Sequence, residues 1–225
     1  MTYIKGDFVT IKFDIYANNK LVQTTDEVKG KKAKLNIEKY GPMTIILGQN
    51  FILKALDNDI LNNNNNNNNN NKGNEKILDL NVDEAYGKRN KKLIKTFPKS
   101  TFDEKKIKAI PGITYDFNGM YGLVKSVVGG RVMVDFNNPL AGKNIKIIYS
   151  IIEKVEKINL KIDLIMNTIL KLEKSNYNIS INDKEIVLKV PEPLLMAKEH
   201  LIKSFNELIP EIKNYSLKIQ SFKKE

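Results

Sequence analysis

Asp135-Phe136-Asn137-Asn138-Pro139-Leu140-Ala141-Gly142-Lys143 runs into Ile145 to Val155, and the reading of this stretch decides the fold. Asn, Pro and Gly in the first part specify a turn. In the second part Ile145, Ile147, Tyr149 and Ile151 recur at every second position, the period of a strand with one face in a core. Upstream, Leu78, Leu80 and Val82 alternate with Asp79 and Asn81 before Asp83-Glu84-Ala85-Tyr86-Gly87. A strand and a polar turn thus precede a stretch of different character, and a second polar turn with a strand follows it.

Outward from these strings, Val9, Ile11, Phe13 and Ile15 oppose Thr10, Lys12 and Asp14, which predicts a half-buried strand over 8–16. Asn18-Asn19 suits a tight turn because Asn tolerates positive φ, and Leu21 to Thr25 returns as the partner strand. A lysine-rich loop is expected next. Met43 to Leu47 reads as a strand ending at Gly48, and Ile52, Ala55, Leu56 and Ile60 fall at the spacing of a short amphipathic helix. Asn62 to Asn71 is an unbroken asparagine tract, which offers no apolar area to offset the entropy of ordering and is expected to be a disordered surface loop.

The intervening stretch, 91–134, has a proline-bearing part from Pro98 to Gly112. Beyond it, Gly129-Gly130 between Leu123–Val128 and Arg131–Val134 is a two-residue hairpin signal. After Val155, the stripe Ile158, Ile162, Ile165, Ile169 and Leu172 predicts a helix. Asn182-Asp183 between two Ile/Val-rich runs predicts a hairpin. Leu194, Ala197, Leu201, Phe205 and Leu208 predict a second helix stopped at Pro210, and Leu217 with Ile219 a last strand. The order α-β-β-α-β is that of a small α+β module.

Composition narrows the chemistry. The 225 residues contain no Cys and one His, which excludes disulfides, thiolate chemistry and multi-histidine metal sites. Lys and Arg total 37 against 26 Asp and Glu, a net charge of +11, yet only Arg89 and Arg131 are arginines. Lysines spread along a chain attract polyanions diffusely and lack the bidentate fork of Arg. The charge is therefore read as compositional rather than as a nucleic-acid site, with ribosome association left as an alternative. No apolar run approaches the roughly 20 residues of a membrane helix, and Met1 to Asp7 lacks a signal-like segment, so a cytoplasmic chain with no membrane partner is expected.

Taken together, Gly6-Asp7 with its alternating strand, Lys20 to Thr25, Leu47-Gly48, Asp83 to Gly87 and Asp135 to Lys143 resemble FKBP-type peptidyl-prolyl isomerases of the SlyD branch, over residues 1–155. The resemblance implies an α+β fold: a bent antiparallel sheet around one short helix, formed by 1–90 and 135–155. It implies a small inserted β domain with chaperone activity at 91–134. The C-terminal segment, 156–225, is similar in element order to the extra α+β domain of long archaeal members.

The implied reaction is rotation about the bond preceding proline in unfolded or partly folded protein chains, with no metal and no cofactor. Carried over by position, Tyr86, Leu56 and Phe13 would be catalytic, and Val22, Met43, Ile52, Leu53 and Ile147 would complete an apolar substrate pocket. The resemblance has the prolyl ring on Leu56 and substrate carbonyls on the Leu53 N–H and the Tyr86 hydroxyl. Four positions depart from the family pattern: Phe13 for the common Tyr, Gln23 for Asp, Ala55 for Gly and Asn138 for the frequent His. A non-catalytic holdase with a weakened pocket is the alternative. In the insert, Ile107, Ile110, Ile113, Tyr115, Phe117, Met120, Tyr121 and Leu123 are to be divided between the domain's own core and an exposed patch. The chain ends without the histidine-rich tail of many SlyD relatives, and His200 is expected to face solvent.

Overall fold

A computed structural model describes residues 2–37, 39–62, 75–104 and 106–222. The asparagine tract falls outside these residues except for Asn62. In chain order the elements are β1 (Phe8–Ala17), β2 (Lys20–Thr24), α1 (Glu27–Lys32), β3 (Met43–Ile46), α2 (Lys54–Asn62) and β4 (Lys76–Leu80). They continue with β5 (Ile94–Pro98), α3 (Ser100–Glu104), β6 (Thr114–Phe117), β7 (Met120–Val128), β8 (Arg131–Asp135) and β9 (Ile145–Val155). The last are α4 (Ile158–Leu164), β10 (Asn178–Asn182), β11 (Glu185–Val190), α5 (Glu192–Met196), α6 (Lys198–Leu208) and β12 (Ser216–Ser221). The mixture of helices and mainly antiparallel sheets is the α+β class expected.

Among the described residues three sheets result. Five strands hydrogen-bond as β2-β1-β9-β4 with β3 also on β1; four as β5-β8-β7-β6; three as β10-β11-β12. By contacts the chain forms two units, Met1–Asp14 with Gln23–Ile77 and Ile148–Glu225, and Ile15–Val22 with Leu78–Ile147. Among the described residues no helix is long and apolar enough to cross a membrane.

In the first unit β1 and β3 pair antiparallel with Ile11 opposite Met43. Where a lysine-rich loop is expected the chain instead forms α1. Asp26 caps it by accepting from the Lys29 N–H at 2.8 Å, Glu27 sits in its first turn and Lys29, Lys31 and Lys32 in its last, the polarity the helix dipole favours. Gly30 in its middle is buried because the Tyr40 ring lies where a β-carbon would stand, with Cε1 only 2.2 Å from that position. The C-terminal segment closes around Leu188, Phe205 and Ile212, and the same core takes in Phe8, Ile46 and Val155. Each such side chain removed from water contributes about 1.5–3 kcal/mol.

Two expected helices are modified. The stripe from Ile158 to Leu172 is α-helical only to Leu164 and then widens into a π turn, Ile165–Ile169, with the Leu170 N–H reaching the Ile165 carbonyl at 3.1 Å. This turn buries the consecutive pair Ile165 and Met166. The stripe from Leu194 to Leu208 breaks at Ala197 into α5 and α6, and α6 ends at Ile209 ahead of Pro210, which disfavours helix in the residue before it. His200 is exposed on α6.

The second unit contains the four-stranded sheet. Gly129 and Gly130 turn β7 into β8 with φ of 56° and 72°, as a primed hairpin turn requires. Asn118 and Gly119 do the same between β6 and β7 at 57° and 87°. Phe102, Val124, Val132 and Val134 are the sheet's buried core, and Phe97, Phe117 and Phe136 pack on them, Phe97 and Phe117 stacked with centroids 5.6 Å apart. The short elements β5, α3 and β6 are not anticipated from the proline-bearing reading of Pro98 to Gly112.

Candidate functional site

The residues singled out from sequence divide between the two units. In the first, Phe13 lies on β1, 4% exposed, held by Thr25: its N–H donates to Thr25 Oγ1 at 3.0 Å and its carbonyl accepts the Thr25 N–H at 2.9 Å. Met43 opens β3 opposite Ile11 and is half-buried, as are Ile52 and Leu53 before α2. Leu56, in the first turn of α2, has no exposed surface. The Leu53 carbonyl accepts from the N–H groups of Leu56 at 3.0 Å and Asp57 at 3.3 Å and so starts the helix. The Leu53 N–H has no acceptor among the described residues.

In the second unit Val22 on β2 is half-buried and Ile147 on β9 is wholly buried. Tyr86 ends a polar turn built by Asn81, whose Oδ1 accepts from the N–H groups of Asp83 at 2.9 Å and Glu84 at 3.1 Å. Glu84 reciprocates by accepting the Asn81 N–H at 3.0 Å. The turn closes with the Gly87 N–H on the Val82 carbonyl at 2.8 Å, Gly87 standing at φ 71°. Tyr86 is half-buried, its hydroxyl has no partner among the described residues, and burial pushes the phenol up. It therefore stays a neutral donor across the physiological range.

The departing positions acquire structural accounts. Gln23 is exposed on β2, and Ala55 is half-buried in α2. The Asn138 side chain is occupied in its own turn, where Oδ1 accepts the Leu140 N–H at 2.8 Å.

Sequence reasoning missed the burial of Asp14, Asp57 and Asp135. Asp14 is expected on the polar face of its strand, yet it is 5% exposed because Thr24 and Lys29 cover it: Thr24 donates its hydroxyl to Oδ1 and Lys29 Nζ lies 2.5 Å from Oδ2. Asp57, 1% exposed, accepts with Oδ2 from the N–H groups of Gly48 at 2.7 Å and Asn50 at 3.0 Å. Asp135, 3% exposed, accepts from Asn137 and pairs with Arg89. The available signal was local: a lone Asp amid apolar residues near turn residues rich in free N–H groups.

The insert candidates separate clearly. Ile107, Tyr115 and Phe117 pack against the buried core, and Leu123 is half-buried. Ile110, Ile113, Met120 and Tyr121 are 43%, 46%, 59% and 71% exposed. Beneath Met120 a cavity of about 300 Å³ is walled by Phe97, Phe102, Phe117 and Phe136.

Two comparisons bear on this arrangement. Residues 95–140 match the family described as FKBP26, IF domain. The short-type peptidyl-prolyl cis-trans isomerase of Methanocaldococcus jannaschii is 25% identical over 144 residues, 63% of this chain and 87% of that protein. The first similarity is confined to residues 95–140, and the second is to a protein described as a peptidyl-prolyl cis-trans isomerase.

Proposed function

We propose that the chain is a peptidyl-prolyl cis-trans isomerase acting on proline-containing protein chains, with Tyr86, Leu56 and Phe13 at the reacting bond and Val22, Met43, Ile52, Leu53 and Ile147 around it. The observation that carries this reading is the kinship with an isomerase along 87% of that protein's length. Two donors without acceptors among the described residues, the Leu53 N–H and the Tyr86 hydroxyl, support it, since each is placed to take a substrate carbonyl.

The barrier to prolyl rotation, roughly 18–20 kcal/mol, comes from amide resonance. A planar amide is more polar than its twisted form, so an apolar, water-poor surface penalises the ground state more than the transition state, and every ~1.4 kcal/mol of difference is tenfold in rate. The half-buried Val22, Met43, Ile52 and Leu53 supply such surface. Leu56 and Ile147 expose none, so a prolyl ring reaches Leu56 only if the side chains covering it part.

In the same reading 91–134 is a separate chaperone domain inserted between the Tyr86 turn and β9, and 156–225 is a C-terminal α+β domain. Ile110, Ile113, Met120 and Tyr121 are the surface that holds unfolded chains. Exposed apolar side chains grouped on β7 and the loop before β6 are the mark of such a surface. Holding a chain there raises its effective concentration at the pocket.

Refolding of a protein limited by a slow prolyl step tests the proposal. Catalytic amounts of the chain accelerate the slow phase, and Leu56→Ala/Tyr86→Ala abolishes the acceleration. An unchanged slow phase together with suppressed aggregation at molar amounts instead makes the chain a holdase, the reading favoured by the full burial of Leu56.

A further inference from the structure

We propose that Asp57 is a positioning residue of the isomerase: its carboxylate fixes the turn 48–50 and its N–H the Leu53 carbonyl, so that the Leu53 N–H is held ready for a substrate carbonyl. The inference rests on the isomerase reading above.

The geometry is specific. Oδ2 takes the N–H groups of Gly48 at 2.7 Å and Asn50 at 3.0 Å, while the Asp57 N–H reaches the Leu53 carbonyl at 3.3 Å. Both anchored turn residues have positive φ, 85° at Gly48 and 55° at Asn50, conformations that a free turn populates weakly without a side-chain acceptor. One side chain therefore ties the turn before Leu53 to the helix after it. The other oxygen, Oδ1, is buried without any partner among the described residues.

That orphan atom sets the residue apart from an ordinary cap. Burial pushes the Asp57 carboxyl up, and the Asn50 and Gly48 N–H bonds only partly oppose it. A carboxyl raised on folding binds its proton more tightly in the native state, so its stabilising contribution is fullest below the unfolded value and is lost as pH rises through the folded one. The ionised carboxylate therefore supports the fold less than the protonated carboxyl would, and what it contributes is the anchoring of the Gly48 and Asn50 N–H groups.

The experiment uses the full chain with Asp57→Ala, which removes both acceptor oxygens, and Asp57→Asn, which keeps one. Melting temperature, KM and kcat on a prolyl peptide, and the backbone order parameter of Leu53 are measured. Asp57→Ala is expected to raise KM about fivefold with kcat little changed and to lower the Leu53 order parameter from about 0.85 toward 0.6, while Asp57→Asn stays close to the parent in both. A folded Asp57→Ala with Leu53 as rigid as in the parent, or with KM unchanged, overturns the proposal. If Asp57→Ala does not fold, Asp57→Ser, whose hydroxyl is too short to reach both N–H groups, is read by the same criteria. A parent without isomerase activity removes the isomerase reading, and the Leu53 order parameter then decides separately whether Asp57 fixes that N–H.

Discussion

Arg89 donates to the buried carboxylate of Asp135 and so ties together the two segments of chain that lead into and out of the four-stranded sheet. Asn90 and Asn137 reinforce the tie, the Asn90 N–H on Asn137 Oδ1 at 2.8 Å and Asn137 Nδ2 on the Asn90 carbonyl at 3.0 Å. The Phe136 N–H adds a bond to the Leu93 carbonyl at 2.9 Å. The neck of this sheet is thus cross-linked by side chains as well as backbone.

Replacing Arg89 by Ala is expected to cost about 1–2 kcal/mol, less than a fully buried pair would, because its own side chain is 41% exposed while that of Asp135 is 2%. Denaturant unfolding gives the value. Hydrogen exchange should show the loss concentrated in β5 and β8.

Acid should undo the same neck. Burial alone would raise the Asp135 carboxyl, but the Asn137 bonds and the Arg89 charge overcome it and hold it below the usual carboxylate range. A group lowered on folding contributes stability that is complete above its unfolded value and is lost as pH falls through the folded one. Asp135→Asn should therefore melt below the parent at neutral pH, with the gap closing as the solution is acidified.

Tyr86→Phe removes a hydroxyl that has no partner among the described residues, so melting temperature should hardly move. If the hydroxyl binds substrate, kcat/KM for a prolyl peptide should fall about three- to tenfold. An unaltered kcat/KM would take Tyr86 out of the pocket.

Gly30→Ala sets helix propensity against packing. Alanine favours the helix by about 1 kcal/mol, but its β-carbon would stand 2.2 Å from Tyr40 Cε1. Overlap with a ring should dominate and destabilise by about 1–3 kcal/mol. Tyr40→Ala in the same chain should recover most of that loss, a coupling that a double-mutant cycle measures.

Much of the architecture was legible because periodicity and turn chemistry agreed. β1, β9, the Gly129-Gly130 hairpin and the α-β-β-α-β order after Val155 all carry both signals. α1 escaped because it has no apolar stripe; its evidence was Asp26 as a cap with acid before base. β6 escaped although Asn118-Gly119, a strong hairpin dipeptide, stood beside Tyr115 and Phe117. That β12 pairs parallel to β11 follows from the crossover through α5 and α6, which no local pattern encodes. Of the candidate site, the apolar identities were readable, but exposure was not. Leu56 and Val22 look alike in sequence, and only packing makes one wholly buried and the other half accessible.

Phe8 shares its core with Leu188, Phe205 and Ile212. In vectorial synthesis that phenyl ring emerges well before Leu188, Phe205 and Ile212, so the face it presents to them stays unburied until those residues follow.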